Sequence, residues 1–77
     1  MNANDNKPKY KFEDKVDFSF DFKNEIIELS GVITVVDPEG TIEQQEEPSY
    51  DIDAFYQGEI CLFKHVRESA IHGFTKE

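Results

Sequence analysis

Hydrophobic positions along this chain recur mostly at every second residue, which is the period of a strand with one buried face. The clearest run is Val16, Phe18, Phe20 and Phe22 on one parity, with Asp17, Ser19 and Asp21 on the other. Lys23-Asn24 then supplies a turn. Ile26 to Val36 reads as a longer strand, with Ile27, Leu29, Ile33 and Val35 on the inward parity. Gly31 sits in its middle, where a residue without a side chain marks a bend or bulge. Val32 and Val36 on the opposite parity suggest cover on both faces there.

The following segment is punctuated by turn residues. In Asp37-Pro38-Glu39-Gly40, Pro38 presets φ for the second turn position and Gly40 closes the turn. Thr41 to Gln44 resumes an extended pattern, and Gln44-Gln45-Glu46-Glu47-Pro48 reads as an exposed acidic loop. Ser49 to Tyr56 alternates again, with Tyr50, Ile52 and Ala54 inward. After a tight Gln57-Gly58 connection, Glu59 to Phe63 is apolar on both faces, as a central strand is. His65 to Ser69 fits one helical turn, and Ala70-Ile71 a last stub of strand. The segments 1–9 and 73–77 are expected to be a disordered tail and a frayed tail around a domain at 10–72. Amphipathic helices of ten or more residues are absent from the pattern. The expected fold is therefore all-β, a small five-stranded barrel with one short helical turn near the C-terminus.

Three segments carry a resemblance that sharpens this expectation. Phe12-Glu13-Asp14-Lys15-Val16 resembles the entry of SH3-like barrels, with Glu13 standing where such barrels often have glycine. Gly31-Val32-Ile33-Thr34-Val35-Val36-Asp37, followed by Gly40-Thr41, is similar to their second and third strands. The stretch from Cys61 to Ile71 resembles their last long strand, helical turn and final stub. With Glu47-Pro48-Ser49-Tyr50-Asp51-Ile52, this closing segment resembles small uncharacterised SH3-like proteins of phages and prophages of Gram-positive bacteria. The resemblance covers residues 10–72. It implies a fold and a mobile-element setting and brings no activity with it.

Composition changes the picture mainly through charge. The 77 residues hold 8 Lys and Arg against 17 Asp and Glu, a net charge of −9. Lys7, Lys9, Lys11, Lys15 and Lys23 lie early, and no Lys or Arg occurs from residue 24 to 63. That window carries ten acids. Asp37, Glu39, Glu43, Glu46, Glu47, Asp51 and Asp53 form its candidate binding face, suited to a basic protein partner. In a mobile-element setting such a face would serve an inhibitor or nucleic-acid mimic. The alternative is a nucleic-acid-binding barrel using Lys7, Lys9, Lys11 and Lys15 as a basic arm, which the overall charge opposes.

Candidate chemistry thins out on inspection. Counted from Asp37 as an EF-hand loop, Gly40 falls too early and Pro48 stands where the closing Glu belongs. Cys61, His65 and His72 fall short of the four paired ligands of a structural zinc site. Cys61 with His65 is a nucleophile pair by residue type only. Phosphate loops and hydrolase signatures are missing. Tyr10, Tyr50, Phe55 and Tyr56 would have to line a proline-peptide groove without its tryptophan, since the chain has none. The expectation is a non-enzymatic interaction module, without cofactor or metal, a monomer or weak homodimer. The polar start, the lone cysteine and the lack of a long apolar run place it in the cytoplasm.

Overall fold

The computed structural model describes residues 7–38 and 47–76. Five antiparallel strands form one sheet: β1 (Lys15–Phe22), β2 (Glu25–Asp37), β3 (Ser49–Tyr56), β4 (Glu59–Arg67) and β5 (Ile71–Phe74). A single 3-10 turn, Glu68–Ala70, separates β4 from β5. The strand order is β4-β3-β2-β1-β5. Consecutive hairpins thus run from β1 to β4, and the last strand returns to the far side of β1. With the helical turn before the last strand, this is the small SH3-like barrel expected from the sequence.

Both tight hairpins are set by local backbone preference. Lys23 and Asn24 have φ of 51° and 68°, and Gln57 and Gly58 have φ of 54° and 84°. Two successive positive φ values make a type I′ turn, whose twist matches that of the flanking strands. Gly31 has a different role. It faces Val16 of β1 and Ala54 of β3 in the ladder, so β2 is gripped from both sides there. A Cβ at this position would lie 2.3 Å from the Asp53 carbonyl oxygen and 2.7 Å from Ile52 Cγ2. Only glycine lets the strands approach this closely.

The core consists of Val16, Phe18, Ile33, Tyr50, Ile52, Ala54, Phe63, Val66 and Ile71. Phe63 of β4 stacks edge-on against Phe18 and Phe20 of β1, at centroid distances of 5.7 and 4.9 Å. Strands β4 and β1 are not neighbours in the sheet, so these contacts show it curling until one end overhangs the other. Edge-to-face pairs of this kind contribute about 0.5–1.5 kcal/mol each beyond their buried area.

Several local expectations are corrected. The ladder slips between Ile33 and Val35, and Thr34 sends its hydroxyl to the Asp51 carbonyl at 3.2 Å. One extra residue reverses the parity beyond it. Val36 therefore faces Tyr50, while Val35, expected inward, is 50% exposed. The helical turn begins at Glu68 and not at His65, because β4 absorbs a bulge opposite Asp51 and continues to Arg67. Pro48, read as the end of an exposed loop, is buried beside Ser49. The final strand extends past the expected Ala70-Ile71 stub to Phe74. Phe74 packs on Tyr10 at 5.3 Å, and the Thr75 amide donates to the Lys15 carbonyl at 2.9 Å. The strand expected at 41–44 lies outside the described residues, and β5 supplies the fifth strand.

Candidate functional site

The seven acids singled out from the sequence divide on inspection. Glu39, Glu43 and Glu46 lie outside the described residues. Glu47 turns back into the fold: one carboxylate oxygen accepts the Ser69 amide at 2.8 Å, and the other its hydroxyl at 3.0 Å. Asp51 accepts the His65 amide at 3.1 Å, at the bulge where His65 takes a φ of 60°. Both carboxylates hold the closing segment in place. Asp37 ends β2 opposite Ser49. Asp53 has the parity opposite to the core, with Val32 beside it on β2 and Leu62 beside it on β4. The structure therefore ties Glu47 and Asp51 into structural contacts and sets Asp53 next to apolar surface.

The basic arm is tied down in part as well. The Lys11 amide donates to the Asp14 carboxylate at 2.9 Å, and the Lys11 ammonium lies 3.5 Å from the same group. The Lys9 amide donates to Glu68 Oε2 at 2.9 Å. That oxygen also receives the Tyr50 hydroxyl at 2.7 Å. Burial pushes the Tyr50 phenol well above its ordinary value of 10.0, and its hydrogen bond to the Glu68 carboxylate adds to the effect. Tyr10 stacks edge-on against Tyr50 at 5.9 Å. These two tyrosines meet at the start of β3, at the opposite end of that strand from Tyr56 on the hairpin of β3 and β4, so the four-aromatic groove does not assemble.

A second cluster was not visible in the sequence, because its members come from three strands. Ser19 Oγ and His72 Nε2 are hydrogen-bonded at 2.6 Å. Beside them Asp17 Oδ1 accepts the Ser30 and Thr75 hydroxyls at 2.6 and 2.7 Å. The Ser30 and Thr75 hydrogen bonds hold the Asp17 carboxyl below its ordinary 3.8, outweighing a small opposing desolvation, with a smaller contribution from His72. A serine hydrolase needs the acid on the second imidazole nitrogen and preorganised donors for an oxyanion. Here the carboxylate oxygen is spent on two hydroxyls, on an open surface. The arrangement works as a polar clasp joining β2, β1 and the end of β5. Among the described residues no group of three or more His, Cys, Asp or Glu could hold a metal ion.

The remaining candidate is apolar. Between β4 and the outer half of β1 runs a groove of about 470 Å³, lined by Phe20, Phe22, Tyr56, Cys61, Leu62, Phe63 and Lys64. Phe22 meets Tyr56 at 6.3 Å, and Tyr56 meets Phe63 at 6.2 Å. On the other face of β3 and β4 Phe55 is 64% exposed and Ile60, its ladder partner, 69%. Leu62 beside them is 49% exposed. Seven phenylalanines suggest a dense core, but only Phe18 and Phe63 are buried. The sequence signal for this site was the two-faced apolar run at 59–63, which reads as a central strand. The structure puts it at the sheet's edge.

No helix among the described residues is long and apolar enough to cross a membrane. Comparison of the chain with protein-family models, curated proteins and solved structures finds no match.

Proposed function

We propose that this protein is a non-enzymatic interaction module whose partner is a protein with a basic surface. The observation that supports this reading is the apolar patch of Phe55, Ile60 and Leu62 with Asp53 in its ladder, on a chain of net charge −9. Exposed, contiguous apolar surface on a small protein marks a contact site. The surrounding negative potential raises the association rate of cationic partners and repels acidic ones. The polar clasp and the half-buried Cys61 add no catalytic pocket to this surface. A mobile-element inhibitor that covers the cationic nucleic-acid groove of an enzyme is one form such a module takes.

The test is a tagged pull-down from bacterial lysate, washed at low and moderate salt, with bound protein and nucleic acid both identified. One basic protein should be held at low salt, released as salt rises, and lost from an Asp53→Lys bait. Nucleic acid alone on the bait would establish the basic-arm reading instead, and an empty bait would refute both.

A further inference from the structure

An edge strand normally carries features that stop other chains pairing with it: charges, proline, short length or bulges. Strand β4 has a bulge at its far end, near His65, and a charge at Lys64. Between Glu59 and Lys64 the strand has neither. Ile60 and Leu62 on one face, with Cys61 and Phe63 on the other, make Ile60–Phe63 apolar on both sides. That is the composition of a strand covered on two faces and paired on two edges, yet among the described residues β4 pairs only with β3.

The strand across the seam is also half used. β5 pairs with β1 only at Val16, Asp17 and Phe18. Ser19 to Phe22 therefore has β2 on one side and no strand on the other among the described residues. The apolar groove lies between these two unpaired edges, floored by Phe20, Phe63 and Tyr56.

We infer that this seam is a docking slot for an extended segment of a cationic partner, which adds as a strand to the free edge of β4 along Glu59–Phe63. The inference rests on the interaction-module reading above and assigns its site. Strand addition satisfies the edge N–H and C=O groups, and alternate side chains then select the sequence. Inward side chains of the guest land on Phe20, Phe22 and Tyr56 and should be apolar. Outward ones lie beside Ile60, Leu62 and Asp53. Charge selects the guest over a second copy of this chain. Asp21, Glu25, Asp53 and Glu59 around the seam outnumber Lys23 and Lys64, and Lys23 lies over the Phe22 ring at 5.3 Å. A second copy would bring a further net charge of −9 to an already acidic surface. The guest is thus an extended peptide with valine-like residues at alternate positions and Lys or Arg between them.

The experiment measures binding of a labelled alternating Lys-Val peptide and a matched Glu-Val peptide by fluorescence anisotropy, with amide hydrogen exchange on the protein. The Lys-Val peptide should bind at least about tenfold more tightly, and exchange should slow at Glu59–Phe63. Ile60→Lys and Leu62→Lys, both at exposed positions, should weaken it by about tenfold or more while keeping the wild-type circular dichroism. Lys-Val binding without protection of β4, or equal binding by the two lysine variants, would overturn strand addition and leave the cationic-partner reading standing. Equal binding of the two peptides with β4 protected would overturn the cationic guest and with it that reading. Sedimentation at twice the monomer mass, abolished by Leu62→Lys, would make the occupant a second copy. Absence of binding to either peptide would overturn the proposal outright.

Discussion

The two ends of this barrel treat their aromatic residues in opposite ways. At the closed end Tyr50 is buried, its hydroxyl is hydrogen-bonded to Glu68, Tyr10 packs against it, and the exposed Phe74 packs on Tyr10. Glu47 fastens the 3-10 turn through Ser69, and Thr75 ties the last strand to β1. At the open end Phe22, Phe55, Ile60 and Leu62 face solvent around a seam that no strand among the described residues fills. The polar groups of the closed end find partners within the chain, while the apolar groups of the open end find too few. One end supplies stability that a short chain needs, because small domains bury only about 60% of their unfolded surface. The other retains surface whose burial would require a partner.

The sharpest way to break this contrast is at its pivot. Gly31→Val drives a side chain into the β3 backbone and should cost about 3 kcal/mol or more, the upper range for overpacking. A urea unfolding curve would show the loss at both ends together, since β2 serves both. Next is Tyr50→Phe, which leaves the closed end's fully buried ring in place and removes its hydrogen bond to the Glu68 carboxylate and the longer one it accepts from the Tyr10 amide at 3.4 Å. The expected cost is about 1–2 kcal/mol in the same assay. The phenol's pKa is raised in the folded state, so its contribution is complete below the unfolded value of 10.0 and is lost as pH climbs toward the raised one. Wild type should therefore weaken above pH 10.0 more steeply than Tyr50→Phe.

A smaller change should go the other way. Glu13 has a φ of 76°, the left-handed region where side chains carry strain of roughly 1–2 kcal/mol. Glu13→Gly should relieve part of it and raise the melting temperature slightly. At the polar clasp, Asp17 has a lowered pKa, so its contribution is present above the ordinary 3.8 and is lost as pH falls through the folded value. Asp17→Asn should flatten that acid limb and lower neutral-pH stability slightly, the two proteins converging in acid. The smallest effect belongs to the open end. Ile60→Lys should change stability by less than about 0.5 kcal/mol, as exposed substitutions usually do. A loss as large as that of Tyr50→Phe would show that the edge of β4 is structural, and the contrast between the two ends would fail.

Much of this was legible in the chain because local rules suffice for it. Period two placed β1, β2 and β3, and the dipeptides Lys23-Asn24 and Gln57-Gly58 marked hairpins because both residues of a type I′ turn must take positive φ. Gly31 announced the tight passage in β2. The unusual Glu13, noted where glycine is common in barrels of this type, proves to hold a left-handed backbone.

Other features depend on contacts that sequence order hides. A one-residue bulge after Ile33 exchanges the fates of Val35 and Val36, and no local pattern announces it. The acids of the expected binding face look equivalent as carboxylates, yet Glu47 and Asp51 are consumed by amides that only folding brings near. Ser19 and His72 meet because β5 returns to β1 across 53 positions of chain. For Ile60–Phe63 the pattern determined that both faces would be apolar, since residue type alone fixes that property. Only the tertiary structure decided that this strand would stand at an open seam, because an edge is defined by which strands pair, and pairing is a long-range choice.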